Sequence, residues 1–271
     1  MLRAHAPLAL ILGLTMAAAS PATTLDWSLA KFRGYEQTED NTAPTTPLFY
    51  EFFSHLATDN PADFLEVNLG GAPGSPVPFV NLPGGLNWEI SQQFLSEAAL
   101  DAAYPANAPY SIGAMSALGL INEPVAFGLD FPSTLPFFTG PVFSALQGMN
   151  AAVDFTLTWN MPLAADGVNE AFIFVLDAQS GEQVFQSEVT DETSVVLPGG
   201  TLLPGSSYIA TIEYRRLSKQ QRESFANGEE EVRTGNLTAA AFTTSEVPEP
   251  TTISTLFAVA CGVVATRRMR R

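Results

Sequence analysis

Cysteine and histidine are almost missing from this chain. Its 271 residues include one cysteine, Cys261, and two histidines, His5 and His55. Cys261 and His5 fall in the two terminal segments, so the body between them has no cysteine and a single histidine. Zinc sites assembled from Cys and His within one chain are thereby excluded. Disulfides are excluded too, and the body must hold together by burial, for which its length is ample. A serine triad would have only His55 to use, and no Gly-x-Ser-x-Gly elbow is present. There is no Walker loop and no Asp-x-Asp-x-Asp-Gly calcium loop. Basic residues are scarce as well. Between the two terminal apolar segments the chain carries 28 acidic residues and seven basic ones, a net charge of −21. Only two of the seven are lysines, Lys31 and Lys219. That balance argues against nucleic acid, whose phosphates need a basic surface, and against anionic headgroups. Neutral polysaccharide and divalent cations stay compatible, and self-repulsion keeps such a surface soluble.

The termini carry the most specific patterns. Leu8 to Met16 is a short apolar run of signal-peptide size, too short to span a bilayer. Ala17-Ala18-Ala19 follows it with small residues at Ala17 and Ala19, which predicts a signal peptide over 1–19, with cleavage after 22 as the alternative. No cysteine follows the run, so the signal is not of the lipoprotein kind. At the other end Pro248-Glu249-Pro250 breaks the chain. No residue from Pro250 to Thr266 is charged, and Arg267, Arg268, Arg270 and Arg271 close the sequence. A transmembrane helix is expected over 251–266, with the arginines on the cytoplasmic side and the body outside. Its more apolar part, Ile253 to Ala265, reaches only about 20 Å at ~1.5 Å per residue, against ~30 Å of hydrocarbon. A span so short suits a temporary anchor. Cys261 fits there as a small buried residue or as a lipidated thiol.

This order of Pro-Glu-Pro, short apolar helix and terminal arginines resembles the PEP-CTERM sorting signal of Gram-negative bacteria. The resemblance covers about the last tenth of the chain. It implies recognition by an exosortase in the inner membrane, a cut near Pro248, Glu249 and Pro250, and a destination at the cell surface or outside the cell. It also implies a link to exopolysaccharide. The competing reading is a plain C-terminal anchor that is never cut.

The body is punctuated by 20 prolines and 20 glycines between short runs rich in Phe and β-branched residues. That rhythm predicts a mainly β protein with two antiparallel β-sandwich-like domains. Residues 23–46 read as a polar lead-in, with an edge strand around Trp27 to Phe32. Residues 47–130 form a β-rich domain with strands at 48–53, 63–69, 78–82, 87–95, 110–115 and 125–129. Ser96 caps a single short helix there, ended by Pro105. Residues 131–246 form the second sandwich, and 247–271 the sorting segment. The two β regions are either separate domains or one packed unit. In the second, Phe155, Leu157 and Trp159 share one strand face. Strands follow at 172–177, 183–186, 195–197, 203–214 and 239–244. Residues 154–245 resemble a fibronectin type III domain: the Trp159 strand matches its strand B, and Leu203-Pro204-Gly205 with Tyr208 matches its tyrosine corner, which implies structural roles for Trp159 and Tyr208. The departure is the link Leu217 to Asn236, read as a capped short helix or as an extended hairpin.

No catalytic, cofactor-binding or metal-ligating residue is assigned. Asp166 to Glu170 and Asp177 to Glu182 could hold calcium, but both have ordinary turn compositions. A glycosidase needs two facing carboxylates; Glu66, Glu89, Asp101, Asp130 and Asp154 are available, and the sequence does not pair them. His55 reads as a half-exposed edge histidine. Trp27, Trp88 and Trp159 could form a sugar platform, with core the favoured role. The expectation is an exported, non-enzymatic structural or adhesion protein. Its partners would be an exosortase, the inner membrane transiently, and extracellular polysaccharide. A carbohydrate-binding module is the first alternative and a glycosidase the second.

Overall fold

A computed structural model of the chain describes residues 25–116, 119–222 and 228–246. The signal peptide with Ala17 and Ala19, and the tail from Pro248 to Arg271 with its expected membrane helix, lie outside the described residues. Among the described residues no helix is long and apolar enough to cross a membrane.

The chain is mainly β. The first half runs β1 (Leu25–Glu36), β2 (Phe49–Thr58), β3 (Phe64–Gly70), β4 (Val77–Pro78), β5 (Val80–Asn81), β6 (Asn87–Phe94), α1 (Glu97–Ala103), β7 (Pro109–Ser116) and β8 (Gly119–Ala126). The second half runs α2 (Val142–Leu146), β9 (Phe155–Thr158), β10 (Glu170–Asp177), β11 (Gln183–Glu188), β12 (Ser194–Leu197), β13 (Ser207–Arg222) and β14 (Gly228–Thr243). One eight-stranded sheet has the order β11-β10-β13-β14-β1-β2-β6-β5. A four-stranded sheet, β4-β3-β7-β8, faces one part of it, and the pair β12-β9 faces the other. Strand alternation puts the apolar residues inside. Leu29, Phe52, Leu56, Leu69 and Ile112 fill one core, and Leu157, Ile173, Val175, Ile212 and Phe242 fill the other.

The second sandwich opposes β9 and β12 to β11-β10-β13-β14, and Phe138 adds a bridge to Trp159 at the edge of the small sheet. Trp159 is buried in this core. Tyr208 is buried too, and its hydroxyl accepts the Leu203 N–H at 2.8 Å, pinning the turn to the strand that follows it. The described residues of the long link, 217–222 and 228–236, are strand rather than helix: Leu217↔Arg233 and Lys219↔Glu231 continue the antiparallel register. The run Glu229-Glu230-Glu231 belongs to β14.

The lead-in differs most from expectation. Residues 25–36 are an interior strand, parallel to β14 from Trp27↔Glu230 to Glu36↔Ala239 and antiparallel to β2 on its other side. Its inward positions are Trp27, Leu29, Lys31, Arg33 and Tyr35. Two of these are cations, which broke the apolar alternation that marks a buried strand. They are matched by α1: Lys31 Nζ lies 2.7 Å from Asp101 and Arg33 Nη2 2.6 Å from Glu97. α1 itself starts as read, with the Ser96 hydroxyl accepting the Ala99 N–H. It brings Tyr104 flat against Phe52, ring centres 3.6 Å apart. The strand expected at 125–129 begins earlier, at Gly119, and α2 carried no signal strong enough to be read.

The boundaries drawn at 46 and 130 therefore do not divide the fold. β1 and the first half of β14 complete the sandwich built mainly from 47–130, while the second half of β14 belongs to the other. Two cores share one sheet. Polar side chains fasten the joint. Gln37 is buried and exchanges two hydrogen bonds with the backbone of Phe138, donating at 2.8 Å and accepting at 2.7 Å. Asn236 donates to the carbonyls of Pro132 and Thr134, and the Thr234 hydroxyl to that of Asp130. The connecting segment is thus laid along β14 with its buried carbonyls satisfied, as buried backbone requires.

Candidate functional site

Among the described residues, a groove on the outer face of the shared sheet gathers carboxylates, an imidazole and a guanidinium. Its volume is about 400 Å³, and it crosses β14, β1, β2 and β6. Sheet register builds it. Ser28 pairs with Glu231 on one side and His55 on the other, and His55 pairs with Glu89. Two positions along, Asp26 pairs with Ala57 and Ala57 with Asn87. Because side chains two apart share a face, Asp26, Ser28, Phe53, His55, Asn87, Glu89, Glu231 and Arg233 all rise on the same side. β2 is an interior strand, so His55 is not at an edge as its sequence position had suggested; it is half-buried in the middle of the sheet. His55 Nε2 is 2.9 Å from Asn87 Oδ1, and its ring runs nearly parallel to Phe53 with centres 6.3 Å apart.

Beside the groove lies a ladder of charges. Arg215 makes a bidentate pair with Glu213, at 2.6 and 2.7 Å, and its guanidinium sits 4.5 Å from the centre of the Phe172 ring. Burial works against the Arg215 charge, but Glu213, with Glu170 adding to it, outweighs that and holds the pKa above its ordinary value. Arg233 shows the opposite balance. Burial and the nearby Arg215 charge push its pKa down, and it pairs with Glu231, which also accepts Lys219 at 2.8 Å.

This arrangement suits holding a ligand better than cleaving one. The carboxylates, imidazole and amide can exchange hydrogen bonds with hydroxyls, and Phe53 offers an apolar ring face. A general acid, by contrast, needs a carboxyl kept protonated by a dry, apolar surrounding. Asp26 is exposed and Glu89 half-exposed on an open face, and Glu231 is engaged by two cations. The other acids named from sequence are scattered. Glu66 accepts from Asn68 on β3, Asp101 pairs with Lys31, Asp130 lies at the joint, and Asp154 accepts the Gly199 N–H. Glu66 and Asn68 line a smaller slot of about 260 Å³ on the four-stranded sheet, with Asn122 and Ser111 around Gly113.

In the two turns considered for calcium, the Asp166 and Asp177 carboxylates accept hydrogen bonds from within the chain. Burial would raise the Asp166 pKa, but hydrogen bonds from the Ser133 and Thr134 hydroxyls and the Thr134 N–H hold it below its ordinary value. Asp177 is lowered by the Ser180 N–H and hydroxyl and the Gln179 N–H. Among the described residues no three His, Cys, Asp or Glu side chains are grouped to hold a metal. All three tryptophans are buried, so none offers a stacking platform. The groove was missed in the sequence because its residues come from four strands, two of them some 200 residues apart in the chain. The alternation Phe53, His55, Ala57 was the one local sign of a shared face.

No protein-family model matches the chain, and neither does any curated protein. Among solved structures, the chain aligns with the FN1–FN3 domains of chicken CNTN1 at 11% identity, covering 80% of this chain and 66% of that one, with a TM-score of 0.26. It aligns with a segment of two fibronectin type III domains from chicken tenascin at 15% identity, covering 77% and 98%, with a TM-score of 0.25. The chain spans just under two thirds of the first. The second sandwich is defined by its own strand order and by the Leu203–Tyr208 bond.

Proposed function

We propose that this is an exported, non-enzymatic structural or adhesion protein of a bacterial cell surface or extracellular matrix, sorted by its C-terminal segment. The observation that carries the structural part is the single sheet shared by two cores: its polar groups are used to fasten the joint rather than to line an enclosed cleft. The sorting part is supported by Pro248-Glu249-Pro250, the uncharged stretch after it and the four terminal arginines. In this reading an exosortase cuts near Pro250, the inner membrane holds the chain only before that cut, and exopolysaccharide is the surrounding material. Expression in an exosortase-bearing host followed by intact mass measurement tests it. The expected surface or secreted form lacks Arg267 to Arg271; a form that retains them refutes sorting by cleavage.

The groove favours a second reading, carbohydrate binding. Phe53 beside His55, flanked by Asp26, Asn87 and Glu89, is a set that could hold a neutral sugar chain. Retention of the protein on host exopolysaccharide, weakened several-fold by Phe53→Ala with His55→Ala, is the result this reading expects. Retention unchanged by that pair of substitutions would remove the groove from consideration.

A further inference from the structure

The two ends of the body leave the shared sheet in opposite directions. β1, the first described strand, and β14, the last, are hydrogen-bonded neighbours and run parallel over ten register positions, Trp27↔Glu230 to Glu36↔Ala239. The start of β1 therefore lies beside the start of β14, whereas the chain leaves from the far end of β14 at Thr243. At ~3.3 Å per residue, Glu230 and Thr243 are roughly 43 Å apart along the strand. A pull on the two chain ends draws β1 backwards and β14 forwards along the same axis. Every hydrogen bond between them is then loaded at once, in shear. In an antiparallel hairpin pulled from its open end, the bonds would carry the load one at a time and separate like a zipper.

From this geometry we infer that the protein is a load-bearing tether whose mechanical clamp is the β1–β14 pair. Its use in the cell rests on the surface-held role proposed above; its mechanics do not. Four further features hold β1 against sliding. β2 pairs with its other edge over Leu25↔Thr58 to Gly34↔Phe49. Lys31 and Arg33 are tied to Asp101 and Glu97 on α1. Phe32 lies over Gly235 of β14, whose missing side chain leaves room for that ring. Gln37, just past the strand, is locked to Phe138 of the second sandwich. A displacement of β1 by one residue would turn its inward side chains to the opposite face, so the first step of sliding has no low-energy resting point. The sorting segment begins only a few residues beyond Thr243. A load entering near Leu25 therefore reaches the anchored end through this one strand pair, and most of both cores lies outside its path.

Single-molecule force spectroscopy on the full chain, with Cys261→Ser and paired cysteine handles, tests the clamp. Handles at Thr24→Cys and Glu246→Cys load β1 and β14 in shear. Handles at Thr45→Cys and Glu246→Cys lie at the same end of the pair, because Glu36 is the partner of Ala239, and peel it open. Thr45 and Glu246 are both exposed, and equal melting temperatures establish that the handles leave the fold intact. The expected rupture force is at least about two-fold higher for the first geometry at the same pulling speed. Equal forces, or a weaker shear geometry, would overturn the inference. Failure of the sorting experiment leaves this measurement unaffected, and failure here leaves the surface reading standing.

Discussion

At the scale of single residues, the polar side chains that matter most are those that stand in for missing secondary structure. Gln37 is the clearest. Its amide donates to and accepts from the backbone of Phe138, as a neighbouring strand would. Removing it leaves a buried N–H and a buried C=O without partners, each with a desolvation cost of about 1–3 kcal/mol. Gln37→Ala should accordingly lower the unfolding free energy in urea by roughly 2–4 kcal/mol; a loss below ~0.5 kcal/mol would show that Phe138 finds other partners. Asp166 gives a pH signature. Its folded pKa is depressed from 3.8 by the Ser133 and Thr134 hydrogen bonds. A depressed carboxylate contributes stability that is fully present above the unfolded value and is lost as pH falls through the folded one. The stability gap between the native chain and Asp166→Asn should thus be constant above about pH 5 and narrow below pH 3.8. A gap that stays constant down to pH 2 would show that the carboxylate charge is not what those hydroxyls hold.

At the scale of elements, β1 decides both the fold and the inference drawn from it, and it was the element least legible in the sequence. Strands such as β3, β7 and β10 announced themselves because one face is apolar and turn residues bound them. The helix at Glu97–Ala103 was legible from its Ser cap and its following proline. In β1 the inward positions include Lys31 and Arg33, and their partners Asp101 and Glu97 lie some 65–70 residues away. A buried cation reads as surface until its counter-charge is located. Parallel pairing with β14 is equally hidden, because no local pattern records a neighbour 200 residues on. Tyr208 was legible for the opposite reason: its partner Leu203 is five residues away. Two strand glycines, Gly34 of β1 in the shared sheet and Gly113 of β7 in the four-stranded sheet, lead to a prediction at this scale. A side chain at Gly34 would place its Cβ 2.2 Å from the Phe49 ring, whereas at Gly113 the nearest atom is 3.8 Å away. Gly34→Val should cost about 1–3 kcal/mol by overpacking, and Gly113→Ala should stay within ~0.5 kcal/mol. Thermal melts of the two variants side by side provide the check, and equal shifts would refute the close packing of Phe49 on β1.

At the scale of the whole molecule, the question is whether two cores behave as two proteins. Separate sandwiches joined by a linker would unfold independently, each with its own midpoint. Here β14 contributes Val232 to one core and Phe242 to the other, within one unbroken strand. Unfolding either core strips that strand of half its partners and exposes the carbonyls of the joint to water or to nothing. The cores should therefore unfold in one cooperative transition. Two substitutions separate the cases. Leu69→Ala opens a cavity in the first core and Leu157→Ala in the second; both side chains are fully buried, so each should cost about 2–5 kcal/mol. If the sheet couples the cores, each variant moves the same single calorimetric transition, and far-UV and near-UV signals stay coincident. If each variant instead splits the melt, lowering one component and leaving the other in place, the shared sheet is a contact between independent domains. A clamp at β1–β14 could then protect only the core that it crosses. The cooperative outcome carries the mechanical consequence further: a tether that unfolds as one unit stays fully folded until the clamp gives way.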